Sequence, residues 1–198
     1  MSLPTNVLLA AVFVAVPALA GAAEVVYEID PAHTYPSFEA DHMGLSSWRG
    51  KFNANSGRIV LDREAGRGTV DVAIDIASID FGHDEMNAKA RTAELFDADT
   101  FPHARYRGRL AGFVGGAPTR VDGTLELHGK TQPLSLSIDR FKCMKHPVMP
   151  RELCGADASA VLDRAAFGID AGKDYGFDMK VALDIQVEAL GPERAPVP

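Results

Sequence analysis

Strict alternation of apolar and polar residues constrains this chain more than any other feature. Val70, Val72, Ile74 and Ile76 alternate with Asp71, Ala73, Asp75 and Ala77. Leu134, Leu136 and Ile138 alternate with Ser135, Ser137 and Asp139, and Val181, Leu183, Ile185 and Val187 with Ala182, Asp184, Gln186 and Glu188. Side chains of a strand point to opposite faces in turn, so a period of two predicts strands with one dry and one wet face. Turn signals at Gly57, Glu64 to Gly68, Gly115-Gly116, Gly129 and Gly172 to Asp174 punctuate the runs. Strands are expected near 25–30, 34–43, 48–55, 57–63, 68–81, 103–114, 119–128, 133–142, 155–165 and 177–190. Many short antiparallel strands at regular spacing predict an all-β sandwich or barrel.

One helix interrupts the pattern, expected from Asp84 to Phe96. Met86, Ala90, Ala93 and Leu95 or Phe96 share a face. Asp84 and Glu85 suit its positive N-terminal end, and Pro102 lies beyond its end as a stop.

The chain has 198 residues, enough for one domain with a full core. Its 46% hydrophobic and 24% charged content is that of a globular protein. A formal net charge of -7 makes nucleic acid and anionic surfaces poor partners. Val7 to Ala20 is a short apolar run interrupted by Pro17 and followed by an A-x-A site at Ala18-Leu19-Ala20. Residues 1–20 therefore read as a cleaved secretory signal peptide, which places the mature protein in the periplasm. The run is shorter than the roughly 20 residues that span a bilayer, and no other segment suits stable membrane insertion. The barrel domain is expected over 24–190, with residues 191–198 a disordered tail.

Export also colours the cysteines. Cys143 and Cys154 are the only two, and an oxidising compartment favours a disulfide between them. The same stretch, Cys143-Met144-Lys145-His146-Pro147-Val148-Met149, collects soft ligand types. A metal-handling or redox protein of the periplasm is therefore an alternative reading. A stress-related module that contacts another protein through the stapled loop is a second.

Motifs of catalysis are missing: G-x-S-x-G, the P-loop, H-E-x-x-H and C-x-x-C do not occur. None of the six histidines (33, 42, 83, 103, 128, 146) stands four residues from another, so no helical metal pair is formed. The expectation is a binding protein, not an enzyme, with no catalytic or metal-binding residues. Two histidines, His33 and His42, keep a candidate role because they fall in the most distinctive segment.

That segment, His33 to Phe52, reads as two strands joined at Gly44-Leu45-Ser46-Ser47 and followed by Trp48. Three further stretches accompany it. They are VDVAIDIASIDF running through the helix to Glu94-Leu95-Phe96-Asp97 and Phe101-Pro102, then Gly123 to Leu134, then Arg164-Ala165-Ala166-Phe167-Gly168 with Val181 to Glu188. In their order and spacing the chain resembles the YceI-like family over nearly all of Tyr27 to Glu188. The resemblance implies an extended, lipocalin-like antiparallel β-barrel of about eight strands with one capping helix. It also implies a polyisoprenoid lipid, such as a quinone side chain or a polyprenyl phosphate, held along the barrel axis, with no other cofactor. Members often carry Arg-Asp and then His-Leu in the helix, where this chain has Met86-Asn87 and Lys89-Ala90, so a preference for another head group, or for none, is expected. The cysteine-bearing insert is not general to the family.

Physical chemistry agrees with a carrier. An eight-stranded barrel has an interior just wide enough for one slender ligand, and each buried CH₂ contributes roughly 0.8 kcal/mol. Phe38, Phe52, Ile74, Ile76, Leu125, Leu136, Phe167 and Leu183 are the expected cavity wall, with His42 beside them. Alternation alone does not separate a filled barrel from a hollow one. A homodimer is compatible with the sequence.

Overall fold

The computed structural model describes residues 24–193. The expected signal peptide lies outside them, as do residues 194–198 of the expected tail. The described residues form eleven strands and one α-helix, in order: β1 (Val25–Ile29), β2 (Tyr35–His42), β3 (Ser46–Phe52), β4 (Asn55–Asp62), β5 (Arg67–Asp75), β6 (Ile79–Asp80), α1 (Asp84–Arg91), β7 (His103–Ala111), β8 (Arg120–Leu127), β9 (Lys130–Lys145), β10 (Glu152–Asp163) and β11 (Lys180–Leu190).

All these strands belong to one antiparallel sheet. It runs β1-β4-β5-β7-β8-β9-β10-β11, and β11 pairs back onto β1 through Glu28↔Leu190 and Ile29↔Ala189. The result is a closed barrel of eight strands, which leaves no exposed edge in the ring. The three remaining strands extend three of the eight. β2 continues β1 along β11, β3 continues β4 along β2, and β6 continues β5 along β3.

The three interruptions lie side by side and form a fault across the wall. Each is closed by side chains. The Thr34 hydroxyl donates to the Glu188 carbonyl and accepts from the Glu188 amide, both at 3.1 Å. Asn55 Nδ2 donates to the Thr34 carbonyl at 2.7 Å. Ser78 Oγ accepts from the Ala54 amide at 3.0 Å and donates to the Asp75 carbonyl at 2.6 Å. Buried backbone groups that lose ladder partners must find others, and Thr34, Asn55 and Ser78 provide them.

Two expectations need correction here. The strand expected over 68–81 breaks at Ile76–Ser78, a 3₁₀ turn capped by the Asp75 carboxylate on the Ala77 amide. Ile76 therefore reaches the interior from a turn and not from a strand. The helix is also shorter than expected. It ends at Arg91 because the Thr92 hydroxyl bonds the Lys89 carbonyl at 2.8 Å while the Thr92 backbone turns extended. Ala93 is exposed as a result. At the other end Asp84 and Glu85 stand in the first turn as expected, and His83 caps the helix: its Nδ1 accepts from the Met86 amide at 3.2 Å.

The expected disulfide between the two cysteines is present. Cys143 is in β9 and Cys154 is its registered partner in β10, so the disulfide staples two strands and leaves only 146–151 as a loop. Two residues past β11 are also tied down: the Gly191 amide bonds the Glu152 carbonyl at 2.8 Å, and Glu193 pairs with Arg151.

Candidate functional site

Inward residues of the wall do not meet at the barrel axis. They enclose a cavity of about 560 Å³, within the roughly 300–1,000 Å³ usual for ligand pockets. Its sides follow the alternation: Val70, Val72 and Ile74 from β5, Leu134, Leu136 and Ile138 from β9, Leu183, Ile185 and Val187 from β11. Tyr27, Phe141 and Cys154 line it towards the end that holds the disulfide.

The opposite end carries α1, the β2–β3 turn and the 164–179 connection. From α1 and the turn after it come Met86, Ala90, Leu95 and Phe96. The 164–179 connection adds Phe177 and the exposed Tyr175. A continuous chain of ring contacts runs round this end. Phe96 meets Phe52 edge-on at 5.8 Å, Phe52 meets Phe38 at 5.8 Å, and Phe38 meets Phe81 at 5.5 Å. Phe81 meets Trp48 at 6.2 Å, Trp48 stacks on His42 at 4.8 Å, and His42 meets Phe177 at 5.1 Å. Offset and edge-on pairs of this kind are each favourable beyond the area they bury.

Two glycines make the packing possible. Gly50 is the registered partner of Phe38, and a Cβ there would lie 2.6 Å from the Phe38 ring. Gly172 has φ +83, and a Cβ there would lie 2.7 Å from the Phe177 ring. Gly172 thus lets the connection fold tightly enough to bring Phe177 to the mouth.

Phe38, His42, Phe52, Ile74, Ile76, Leu125, Leu136 and Leu183 all border the cavity. Phe167 does not. It is 2% exposed in the core, on a 3₁₀ turn at the mouth end, where its carbonyl meets His128 Nδ1 at 3.1 Å. His33 does not border the cavity and pairs with Asp30 across 2.8 Å in the break between β1 and β2. That aspartate raises the His33 pKa by hydrogen bond and charge, and the imidazole holds the Asp30 carboxyl below its ordinary value.

Sequence reasoning missed Phe81, Phe96, Trp48 and Phe177 as parts of the mouth. They come from four separate stretches, and no spacing signals their convergence. It also missed the four charged residues that border the cavity, Asp41, Lys89, Glu94 and Arg164. Lys89 is paired with Glu94. Both Asp41 oxygens accept from the Gly44 amide, at 2.9 and 3.0 Å, and one also from the Asp178 amide at 3.2 Å.

Potential metal ligands group in one place among the described residues, at Cys143, Glu152 and Cys154. The disulfide takes both sulfurs. Nδ1 of His146 is occupied as well, accepting from the Val148 and Met149 amides at 3.1 and 2.9 Å. Among the described residues no helix is long and apolar enough to cross a membrane.

Known proteins resemble this arrangement throughout. The family model described as the YceI-like domain matches residues 27–189. A UPF0312 protein of Vibrio vulnificus is 32% identical over 181 residues, 91% of this chain and 94% of that protein. The crystal structure of Burkholderia cenocepacia BcnA superposes with a TM-score of 0.66 at 21% identity, covering 81% of this chain and 99% of that one. A polyisoprenoid binding domain from Saccharophagus degradans, implicated in plant cell wall breakdown, gives 0.61 at 19% identity and covers 84% and 98%.

Proposed function

The chain belongs to the YceI-like family, and from that premise we propose that it is a periplasmic carrier that holds one polyisoprenoid lipid, or a similar amphiphile, along the barrel axis. One observation carries the reading: the barrel is hollow, and its inner wall is almost wholly hydrocarbon. Water gains little there, whereas an isoprenoid tail gains roughly 0.8 kcal/mol for each CH₂ removed from solvent. A few isoprene units then offset the cost of immobilising the ligand.

The nine residues Phe38, His42, Phe52, Ile74, Ile76, Leu125, Leu136, Phe167 and Leu183 divide under this reading. Eight contact the tail or the mouth, and Phe167 packs in the core at the mouth end without bordering the cavity. The name of the Saccharophagus domain supports the ligand class. The A-x-A leader supports the compartment. The barrel holds its ligand and performs no chemistry on it, as a container and not a catalyst.

Extraction of the purified protein with organic solvent and mass spectrometry of the extract tests the proposal. A long-chain isoprenoid near one equivalent per chain is expected. An extract without any lipid, from protein that also fails to take up added isoprenoid, would count against it.

A further inference from the structure

Charge at the mouth is unevenly satisfied, and the imbalance bears on what kind of head group the site accepts. Of the four charged residues on the cavity border, two are basic and two acidic, so together they cancel. Lys89 is already neutralised by Glu94. Asp41 is held by backbone amides of the turn and of Asp178. That leaves Arg164. It stands at the start of the 164–179 connection, half-buried, and its Nη1 donates to the Ile169 carbonyl at 3.0 Å. Among the described residues no carboxylate comes within ion-pair range of it. Three acids nevertheless stand close to it along the backbone: Asp163 precedes it, Asp170 follows the Ile169 it bonds, and Asp178 precedes Met179, whose carbonyl accepts from the Arg164 amide at 2.8 Å. Burial pulls the Arg164 pKa down, and these carboxylates oppose that pull.

A guanidinium carries five N–H donors in a fixed fork, and one hydrogen bond leaves most of them available. The donors point to an oxygen acceptor. The surrounding carboxylates argue against a further full negative charge, because like charges brought together in a partly desolvated site repel strongly. We infer that Arg164 receives an uncharged oxygen head group, a carbonyl or a hydroxyl, and that the mouth discriminates against phosphorylated isoprenoids. The inference rests on the carrier reading above and narrows its ligand class.

Trp48 is the only tryptophan of the chain and borders the cavity, so its emission reports occupancy. The test titrates delipidated protein with two probes of equal chain length, geranylgeraniol and geranylgeranyl phosphate. The alcohol is expected to bind at least about tenfold more tightly. Arg164→Gln is expected to weaken the alcohol about tenfold, the loss of one hydrogen bond to a charged donor. Because Arg164 also bonds Ile169, a second variant stands beside it: D170N with D178N removes two of the three acids and is expected to narrow the preference several-fold. Equal or tighter binding of the phosphate by the native protein overturns the inference and leaves the carrier reading intact. So does a preference that D170N/D178N does not change. Failure of both probes to bind overturns the carrier reading, and the inference with it.

Discussion

The imidazole of His42 lies flat against the indole of Trp48, with ring centroids 4.8 Å apart and planes 17° apart. The other side of the relationship is Phe177, whose ring meets His42 edge-on at 5.1 Å. His42 thereby joins the β2–β3 hairpin to the 164–179 connection across the cavity mouth. Opening the mouth must separate these rings. H42A is therefore expected to speed both uptake and release of a bound isoprenoid several-fold, with equilibrium affinity changed by less than about threefold. Each edge-on or stacked pair is worth only about 0.5–1.5 kcal/mol, and the loss falls on the closed state with and without ligand. Stopped-flow Trp48 fluorescence measures the two rates. An unchanged release rate would remove His42 from the mouth's closure.

Leu183 pairs with Phe38 and Ala160 and faces the cavity. In a close-packed core a larger side chain at such a position costs about 1–3 kcal/mol through overpacking. Here the added volume has empty space to enter. Leu183→Trp is expected to lower stability by less than about 1 kcal/mol while abolishing isoprenoid binding. Urea denaturation and a binding titration on the same sample check both halves. Severe destabilisation would mean that the space beside Leu183 is filled.

The Cys143–Cys154 disulfide joins residues already opposed in the β9–β10 ladder. In the chain-entropy model a closure of this length stabilises by roughly 2–3 kcal/mol. The C143S/C154S variant is expected to lose up to about that amount in urea and to keep the barrel. Cys154 borders the cavity, so the variant also tests whether the staple shapes the inner end. Affinity for an isoprenoid is expected to fall by no more than a few-fold.

Asp30 and His33 give a pH signature outside the cavity. The His33 pKa is raised in the folded state. Its contribution is fully present below its ordinary value of about 6.5 and is lost as pH rises through the folded value. The Asp30 pKa is lowered. Its contribution is present above its ordinary value of about 3.9 and is lost as pH falls through the folded value. The pair thus supports the β1–β2 break best between those limits. NMR titration of His33 is expected to show a raised pKa that drops in D30N. An identical His33 titration in both proteins would contradict the pairing.

The walls are legible in the sequence and the ends are not. Val70 to Ile74, Leu134 to Ile138 and Val181 to Val187 fall on strands as their alternation predicts, because a strand's facing depends only on its own residues. The helix's true length is hidden because the apolar spacing runs on past Thr92, whose hydroxyl closes the last turn. The fault at Asp30–Thr34, Asn53–Ala54 and Ile76–Ser78 depends on hydrogen bonds between residues about twenty to 150 positions apart, which no local pattern encodes. The same holds for the ring chain from Phe96 to Phe177. Hollowness itself is not legible either: Ile74 and Leu183 would alternate in the same way in a filled barrel. Phe167 shows the converse, an apolar residue beside strand-forming sequence that packs in the core from a 3₁₀ turn without bordering the cavity.

Calorimetric titration with a long-chain isoprenoid alcohol, run at several temperatures on the native protein and on Leu183→Trp, tests the central claim most directly. One saturable site per chain is expected, with a negative heat-capacity change from burying hydrocarbon, both absent in the variant. Heats that do not saturate, or that persist unchanged when tryptophan fills the cavity, would contradict it.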